Sequence, residues 1–354
     1  MRLRYEPFSL PLVDPLGTAN GDITDREGFL VTVDVAGQRG VGEATPLPGW
    51  TESLAACERA LDRAAAFPDP RRALSARGEA TFEGAPAARH GVALALADAA
   101  ARRDRLALSR WLGATDHVES VPVNATVGDG DPSETVDAAT AAVDEGFDCL
   151  KLKVGARSLD ADVERVRAVR NTCPGVELRA DCNGAWDPDT AREAVDALAD
   201  CELAYLEQPL PADDIAGHAA LREYAAETGA GVGVALDESL TAAAPRSLLD
   251  ADAADVLVLK PMALGGVDRA RTVALAALDR DVDVVVTTTI DAVYARTAAV
   301  HLAASLPAVR ACGLATGDLL AADLATDPTP VEDGRIAVPD GKGNVPRHVS
   351  SDSA

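Results

Sequence analysis

Lysine is nearly missing from this chain: of 33 basic residues among 354, only Lys151, Lys153, Lys260 and Lys342 are lysine, and the rest are arginine. A chain that supplies its solvated cations as arginine leaves each remaining lysine in need of a reason. Positive charge as a whole is scarce. The 57 acidic residues set a net charge of −24, which repels nucleic-acid phosphates and anionic membranes. The acid is spread along the chain, and with abundant Asp and Ala it reads as a halophilic composition, since a Debye length of about 3 Å at 1 M salt screens such self-repulsion. No apolar run approaches the roughly 18 to 20 residues of a membrane span, and the start, MRLRYEPFSL, has neither the apolar stretch nor the small-residue cleavage site of an export signal. Cys57, Cys149, Cys173, Cys182, Cys201 and Cys312 form no CxxC pair, and no His stands at ligand spacing from them. A disulfide framework and a zinc site are therefore not expected, and free thiols in a cytoplasmic protein are.

What is present is enough apolar residue, 47%, to bury a sizeable core. Strand-like runs at Leu3–Leu10, Gly28–Val35 and Gly40–Ala44, with a hairpin turn at residues 36–39, precede helical spacing over Thr51–Phe67 and Ala85–Ala101. Thr51 is the expected N-cap of the first of these helices. After Val121 short apolar runs alternate with Ala-rich helices. Strands are expected at Val121–Val127, Cys149–Val154, Val176–Asp181, Leu203–Glu207, Val232–Asp237, Val256–Lys260, Val282–Thr288 and Ala311–Thr316. Eight strands separated by helices predict an α/β fold, a parallel β/α barrel preceded by a small α+β domain. A doubly wound sheet competes less well because no glycine-rich phosphate loop follows the first strand. The last residues, His348–Ala354, read as a disordered tail.

Polar residues recur at the C-terminal ends of five successive predicted barrel strands, where such barrels build their sites: Lys151 with Lys153, Asp181, Glu207, Asp237, and Lys260. Their spacing, 23 to 30 residues from Lys153 onward, is that of one β/α unit. Three carboxylates converging on one mouth cannot all stay ionised without a cation, and an all-oxygen donor set suits Mg²⁺, with Mn²⁺ as the alternative occupant. Lys151 and Lys153, two residues apart, share one face, and Lys260 arrives from across the barrel. A metal between lysines answers the difficulty of removing a proton next to a carboxylate, because it stabilises the second negative charge while a neutral lysine acts as base.

Singly, each feature has a plainer explanation: a solvated strand face for the KxK pair, a helix cap for an Asp, a turn for Glu-Gln-Pro. Three of four lysines at periodic strand ends beside three acids tip the balance toward function. Lys342 sits in a Gly-Lys-Gly turn outside the series, the five histidines fall on none of its strand ends, and Ser239 has no partner His for a hydrolase triad. The Gly265-Gly266 pair reads as a tight loop opening a helix.

The motifs LKLK, RADCNGAW, YLEQPL, ALDESL and LKPMALGG, in this order, resemble those of the enolase superfamily, muconate-lactonising subgroup. That resemblance implies a modified (β/α) barrel, residues 119–316, closed by an α+β capping domain made of residues 1–118 and the returning segment 317–354. It implies Asp181, Glu207 and Asp237 as metal ligands, Lys153 and Lys260 as the acid/base pair, Lys151 as a contact to the substrate carboxylate, and Asn183 as support for the metal shell.

Departures from the subgroup's patterns narrow the choice. The seventh strand ends Thr287-Thr-Thr-Ile-Asp291 without the His of mandelate racemase-like members, and Gly313-Leu-Ala-Thr-Gly-Asp318 lacks the Asp-x-Asp pair of dipeptide epimerases. Both ends, with the loop Gly40-Val-Gly-Glu-Ala-Thr-Pro-Leu-Pro-Gly49, are similar to the o-succinylbenzoate synthases of menaquinone biosynthesis. The loop then reads as a lid, Thr288 and Thr289 as substrate contacts, and the reaction as a syn dehydration of a hydroxycyclohexadiene carboxylate. Two alternatives stay open: an N-succinylamino acid racemase or related acid racemase or cycloisomerase using the same lysines, and a non-catalytic barrel whose metal only stabilises the fold. The partners implied are a small carboxylate substrate, no nucleic acid and no integral membrane association.

Overall fold

The computed structural model describes residues 2–18, 21–75 and 78–346, so the tail His348–Ala354 lies outside the described residues. Three antiparallel strands open the chain: β1 (Arg2–Thr18), β2 (Gly21–Val35) and β3 (Gln38–Ala44). They extend the expected runs, and β1 shifts register between Pro11 and Leu16, where Pro11 and Pro15 remove ladder donors. The turn between β2 and β3 is shorter than expected. Only Ala36 and Gly37 form it, both at positive φ (51° and 79°), as a two-residue hairpin with the twist of its strands requires.

Against this sheet pack α1 (Leu54–Ala65) and α2 (Pro86–Asp104), followed by the short α3 (Leu108–Leu112). Ser53, not Thr51, caps α1, its hydroxyl accepting from Ala56 N, because the Thr51 hydroxyl is taken by the Leu47 amide at 2.8 Å. Gly40 and Gly42 explain how closely α2 crosses β3. A Cβ at either would fall 2.0 to 2.1 Å from the Ala95 or Gly91 carbonyl oxygen.

After β4 (Ser120–Pro122) comes the parallel sheet: β5 (Ala125–Val127), β6 (Cys149–Lys153), β7 (Glu177–Asp181), β8 (Leu203–Glu207), β9 (Gly233–Leu236), β10 (Val256–Leu259) and β11 (Asp283–Val286), hydrogen-bonded in that order. The connections carry α4 (Pro132–Asp144), α5 (Leu159–Thr172), α6 (Pro188–Leu198), α7 (Ile215–Thr228), the short α8 (Ser239–Ala242) and α9 (Pro245–Asp250), α10 (Pro261–Leu264) and α11 (Val267–Leu278). α12 (Val293–Ala303) follows β11.

Two expected strands differ. Residues 121–127 split, because Ser120–Pro122 turn aside to pair antiparallel with β13 (Arg335–Ala337), itself paired with β12 (Val331–Glu332). The eighth strand shrinks to single parallel bridges from Cys312 to Val123 and from Gly313 to Thr287, which close the curled sheet into a barrel. No α-helix among the described residues follows that closure, only a 3₁₀ turn at Gly317–Leu319. Residues 320–321 instead meet β1 at Pro11 and Leu12, and Asn344 donates its amide to Asp98 of α2 at 2.7 Å. No helix among the described residues is long and apolar enough to cross a membrane.

Strand parity decides what faces the barrel axis. Tyr205, Ala235, Val256, Val258 and Val285 pack together inside, while Leu150, Leu152, Leu178, Leu206, Leu257 and Leu259 lie in the larger core beneath the helices. Continuing each inward parity by two or four residues arrives at Glu207, Asp237 and Lys260 at the strand ends.

Candidate active site

The strand register sets Lys153, Asp181 and Glu207 side by side on β6, β7 and β8, with Asp237 just past β9 and Lys260 just past β10. All five positions singled out by periodicity, together with Lys151, meet at this end. Lys151 Nζ bonds Glu207 Oε1 at 2.8 Å and lies 3.0 Å from Asp181 Oδ2. Lys153 Nζ shares that Asp181 oxygen at 2.7 Å and also donates to Asn183 Oδ1 at 2.8 Å. From the other side Lys260 pairs with Asp237 Oδ2. The Lys153 side chain is 36% exposed, against 16% for Lys151 and 12% for Lys260, so Lys153 is the ammonium open to the mouth.

The three carboxylates are buried, and their electrostatics are unequal. Burial opposes ionisation of Asp181, but Lys151 and Lys153 outweigh it and hold its carboxyl below the usual range. Burial and the nearby Asp181 and Asp237 push Glu207 up to about 7 despite Lys151. Burial likewise drives Asp237 up to about 6 despite Lys260. Lys151 shows the converse: burial works against its charge, and Asp181, Glu207 and Asp237 together raise it well above an ordinary lysine.

Among the described residues no three carboxylate, thiol or imidazole groups already close around one point, because the ammoniums hold the carboxylate oxygens. The donor set nevertheless fits a hard divalent cation. It offers only oxygen, on neighbouring strand ends, and Asp237 Oδ1 is buried with no hydrogen-bond partner.

Around Asn183, which the motifs already implied, stand supporting residues that motif spacing did not reveal. Gln208, held at φ 43°, braces the ends of β8 and β9: its Oε1 accepts from Asp237 N (3.0 Å) and Ser239 N (3.1 Å), and its Nε2 donates to Ser239 Oγ (2.8 Å) and Leu210 O. Ser239 is thus a bracing partner, with no triad around it. Asn183, at φ 46°, bridges Lys153 to Glu238, donating to Glu238 Oε1 at 2.9 Å, and its own amide donates to Asp181 Oδ1. The buried Arg165 clamps the carbonyls of Lys153 (2.9 Å) and Gly128 (2.6 Å). Motif spacing singled out neither Gln208 nor Arg165.

The loop expected to act as a lid divides in two. Gly40–Ala44 lies in the buried strand β3, and the rest, residues 45–49, leads to Trp50, just past the expected loop, which reaches the site. Trp50 lies with its ring centroid 3.4 Å from Lys260 Nζ. Arg26 fixes this loop, donating to the carbonyls of Thr45 and Pro46 and, from the same guanidinium, to that of Ile290. Thr288 and Thr289, past β11, are buried; the hydroxyl of Thr288 pairs with Thr316 at 2.9 Å and that of Thr289 donates to Asp291. Lys342 is exposed beside Arg102 and Arg105, apart from the cluster. His90 and His301 are buried and bonded to backbone groups elsewhere, while the buried His218, bonded to Asp214 O, has Nε2 3.4 Å from Gln208 Nε2 and from Leu210 N.

Comparison with known proteins bears on the family and the fold. The model of the Enolase C-terminal domain-like family matches residues 134–344. An o-succinylbenzoate synthase from Thermobifida fusca is 40% identical over 215 residues, 59% of this chain and 64% of that protein, so the chain spans just under two thirds of that relative's length. A mandelate racemase/muconate lactonizing protein from Herpetosiphon aurantiacus superposes with a TM-score of 0.87 at 25% identity, over 98% of both chains. A dipeptide epimerase from Enterococcus faecalis V583, solved with Mg and the dipeptide L-Leu-L-Tyr, superposes with a TM-score of 0.86 at 25% identity, over 97% of this chain and 98% of that one. The muconate-lactonising resemblance and the barrel architecture read from the motifs agree with these neighbours.

Proposed function

The chain belongs to the Enolase C-terminal domain-like family, and from that membership and the geometry of the strand ends we propose that it is an o-succinylbenzoate synthase. The reaction is the syn dehydration of 2-succinyl-6-hydroxy-2,4-cyclohexadiene-1-carboxylate to 2-succinylbenzoate, a step of menaquinone biosynthesis in the cytoplasm. The observation that carries this reading is the placement of lysines on both sides of three buried carboxylates: Lys151 and Lys153 from β6, Lys260 from beyond β10.

Asp181, Glu207 and Asp237 would hold a divalent cation, Mg²⁺ or Mn²⁺, as the dipeptide epimerase neighbour holds Mg. When bound, that cation supplies positive charge to the substrate carboxylate, on which negative charge builds as the α-proton leaves. Lys153, the open ammonium, is the base in its neutral form: it takes the proton from the carbon bearing the carboxylate. The Lys260 ammonium faces the charge that develops from the opposite side. Lys153 then returns its proton to the departing hydroxide on the same ring face, releasing water, and aromatisation drives this second step. Lys151, buried against Glu207 and Asp181, keeps a fixed positive charge beside the substrate carboxylate. Thr288 and Thr289 line the same end from beyond β11.

Contacts of residues 320–344 with β1 and α2 support a division into a cap, 1–118 with the returning segment 317–354, and a barrel, 119–316. Racemisation of N-succinyl amino acids is the second reading, since lysines on opposite sides also suit two-base chemistry.

The test is direct. Purified protein with Mg²⁺ and the diene carboxylate should release 2-succinylbenzoate, a chelator should stop it, and Lys153→Ala should lose turnover while keeping its metal-dependent thermal shift. Inversion of N-succinyl amino acids in D₂O with no turnover of the diene would replace the dehydratase with the racemase.

A further inference from the structure

Lys260 is held from two directions. One is the Asp237 carboxylate; the other is the face of the Trp50 indole, whose ring centroid lies 3.4 Å from Nζ. An ammonium at that distance over an indole is attracted by the negative face of the ring, and the attraction grows where water is excluded. Here it largely is, since the Lys260 side chain is 12% exposed. The aromatic residue is 210 positions away in the chain, and the structure goes to some length to place it. Arg26 fixes the Thr45 and Pro46 carbonyls from beneath. The Trp50 and Thr51 amides both donate to Leu47 O, the Thr51 hydroxyl accepts from Leu47 N, and Gly49 makes the turn at φ 99°. Next along the chain, the buried Glu52 accepts from the first-turn amides of α2, Ala87 N and Ala88 N. The indole is therefore anchored to the cap on both sides of its own position, and is preset against Lys260.

We propose that Trp50 is a positioning residue for Lys260: its ring face and Asp237 together hold the ammonium at one place, facing the reacting carbon from the side opposite Lys153. The proposal rests on the dehydratase reading for its kinetic arm only. A lysine has four rotatable side-chain bonds, and one carboxylate contact cannot alone fix its end; the rigid indole completes the restraint. An aromatic face is what the contact needs, so size without a π system does not substitute.

Two measurements test it. The first needs no substrate. Trp50 emission is isolated by subtracting the spectrum of Trp50→Phe, which retains Trp111 and Trp186. Introducing Lys260→Met should change emission intensity and acrylamide quenching in the wild-type background and leave them unchanged in the Trp50→Phe background. Equal changes in both backgrounds, or none, would overturn the contact. The second is kinetic. Trp50→Leu should lower kcat about tenfold to thirtyfold at near-constant KM, and Trp50→Phe should restore kcat to within about threefold of wild type. A loss confined to KM, or Leu and Phe variants equally impaired, would make Trp50 a substrate contact or a packing residue and refute the positioning role. If the wild-type protein leaves the diene carboxylate untouched, the reaction assignment fails, and the emission experiment still decides the Trp50–Lys260 contact.

Discussion

Replacing Lys151 with Met separates charge from packing at the centre of the site. Lys151 Nζ lies 2.8 Å from Glu207 Oε1 and 3.0 Å from Asp181 Oδ2, and the side chain is mostly buried. Each such pair is worth about 6 kcal/mol of gross attraction at an effective dielectric constant near 20. Most of that offsets the cost of burying the charges, and breaking a buried pair typically leaves a net loss of about 3–5 kcal/mol. Unfolding entropy of roughly 2 cal/mol/K per residue converts this into a fall in Tm of about 4–7 °C for a chain of this size. Met keeps the apolar stem, so the loss is electrostatic. Two proteins, wild type and Lys151→Met, are melted at pH 8 in chelator and again in saturating Mg²⁺. In chelator the variant should melt lower by that amount. In Mg²⁺ the gap should narrow, because the ion supplies the missing positive charge and binds the variant without competition from an ammonium. An identical gap in both conditions would show that the deficit is packing and that no cation shares the Asp181–Glu207 pair. No Mg²⁺ shift in either protein would remove the metal from the mechanism.

Three other outcomes are expected. Gln208→Leu should leave the fold intact yet lower stability by about 2–4 kcal/mol in urea titrations and kcat/KM by about tenfold to a hundredfold, because the buried Asp237 and Ser239 amides lose their shared acceptor; unchanged kinetics would make the brace irrelevant to catalysis. Glu43, buried on β3 and accepting from Ala292 N and Ala295 N at the start of α12, is pushed up to about 7 by its burial and by Asp291. A carboxyl raised on folding favours the folded state below its unfolded pKa of about 4.3, and that advantage is lost as pH rises through 7. Tm should therefore fall from pH 5 to pH 8 more steeply for wild type than for Glu43→Gln, and parallel curves would exclude the group. With a net charge of −24, Tm should also rise as KCl increases from 0.1 to 1 M, and a flat response would discount self-repulsion.

Much of the barrel was legible because its signals are local. The run Leu203–Glu207 coincides with β8, and the polar ends of β6 to β10 recur with the length of one β/α unit. Legibility fails where partners are distant. The eighth strand was read as six residues from its apolar content, but only Cys312 and Gly313 form strand bridges, since the chain soon leaves to meet β1. Thr51 has the chemistry of an N-cap and lost that role to Ser53 through a bond to Leu47. Trp50, Gln208 and Arg165 act through contacts to residues 12 to 210 positions away or to backbone groups that no spacing rule reaches. Lys153, Asp181, Glu207 and Asp237 were singled out by strand-end position and β/α period, which the order of residues does encode, and the structure brings them to one end of the sheet.

The Arg26 guanidinium joins two backbone walls: Thr45 and Pro46 of the loop that carries Trp50, and Ile290 beside Thr288 and Thr289. Because backbone oxygens are the anchors, neither wall can be re-spaced by insertion or deletion without dragging the other. Evolution of a new substrate preference on this scaffold would then proceed by exchanging side chains within a conserved frame, or by losing Arg26 first and letting the two walls drift apart together.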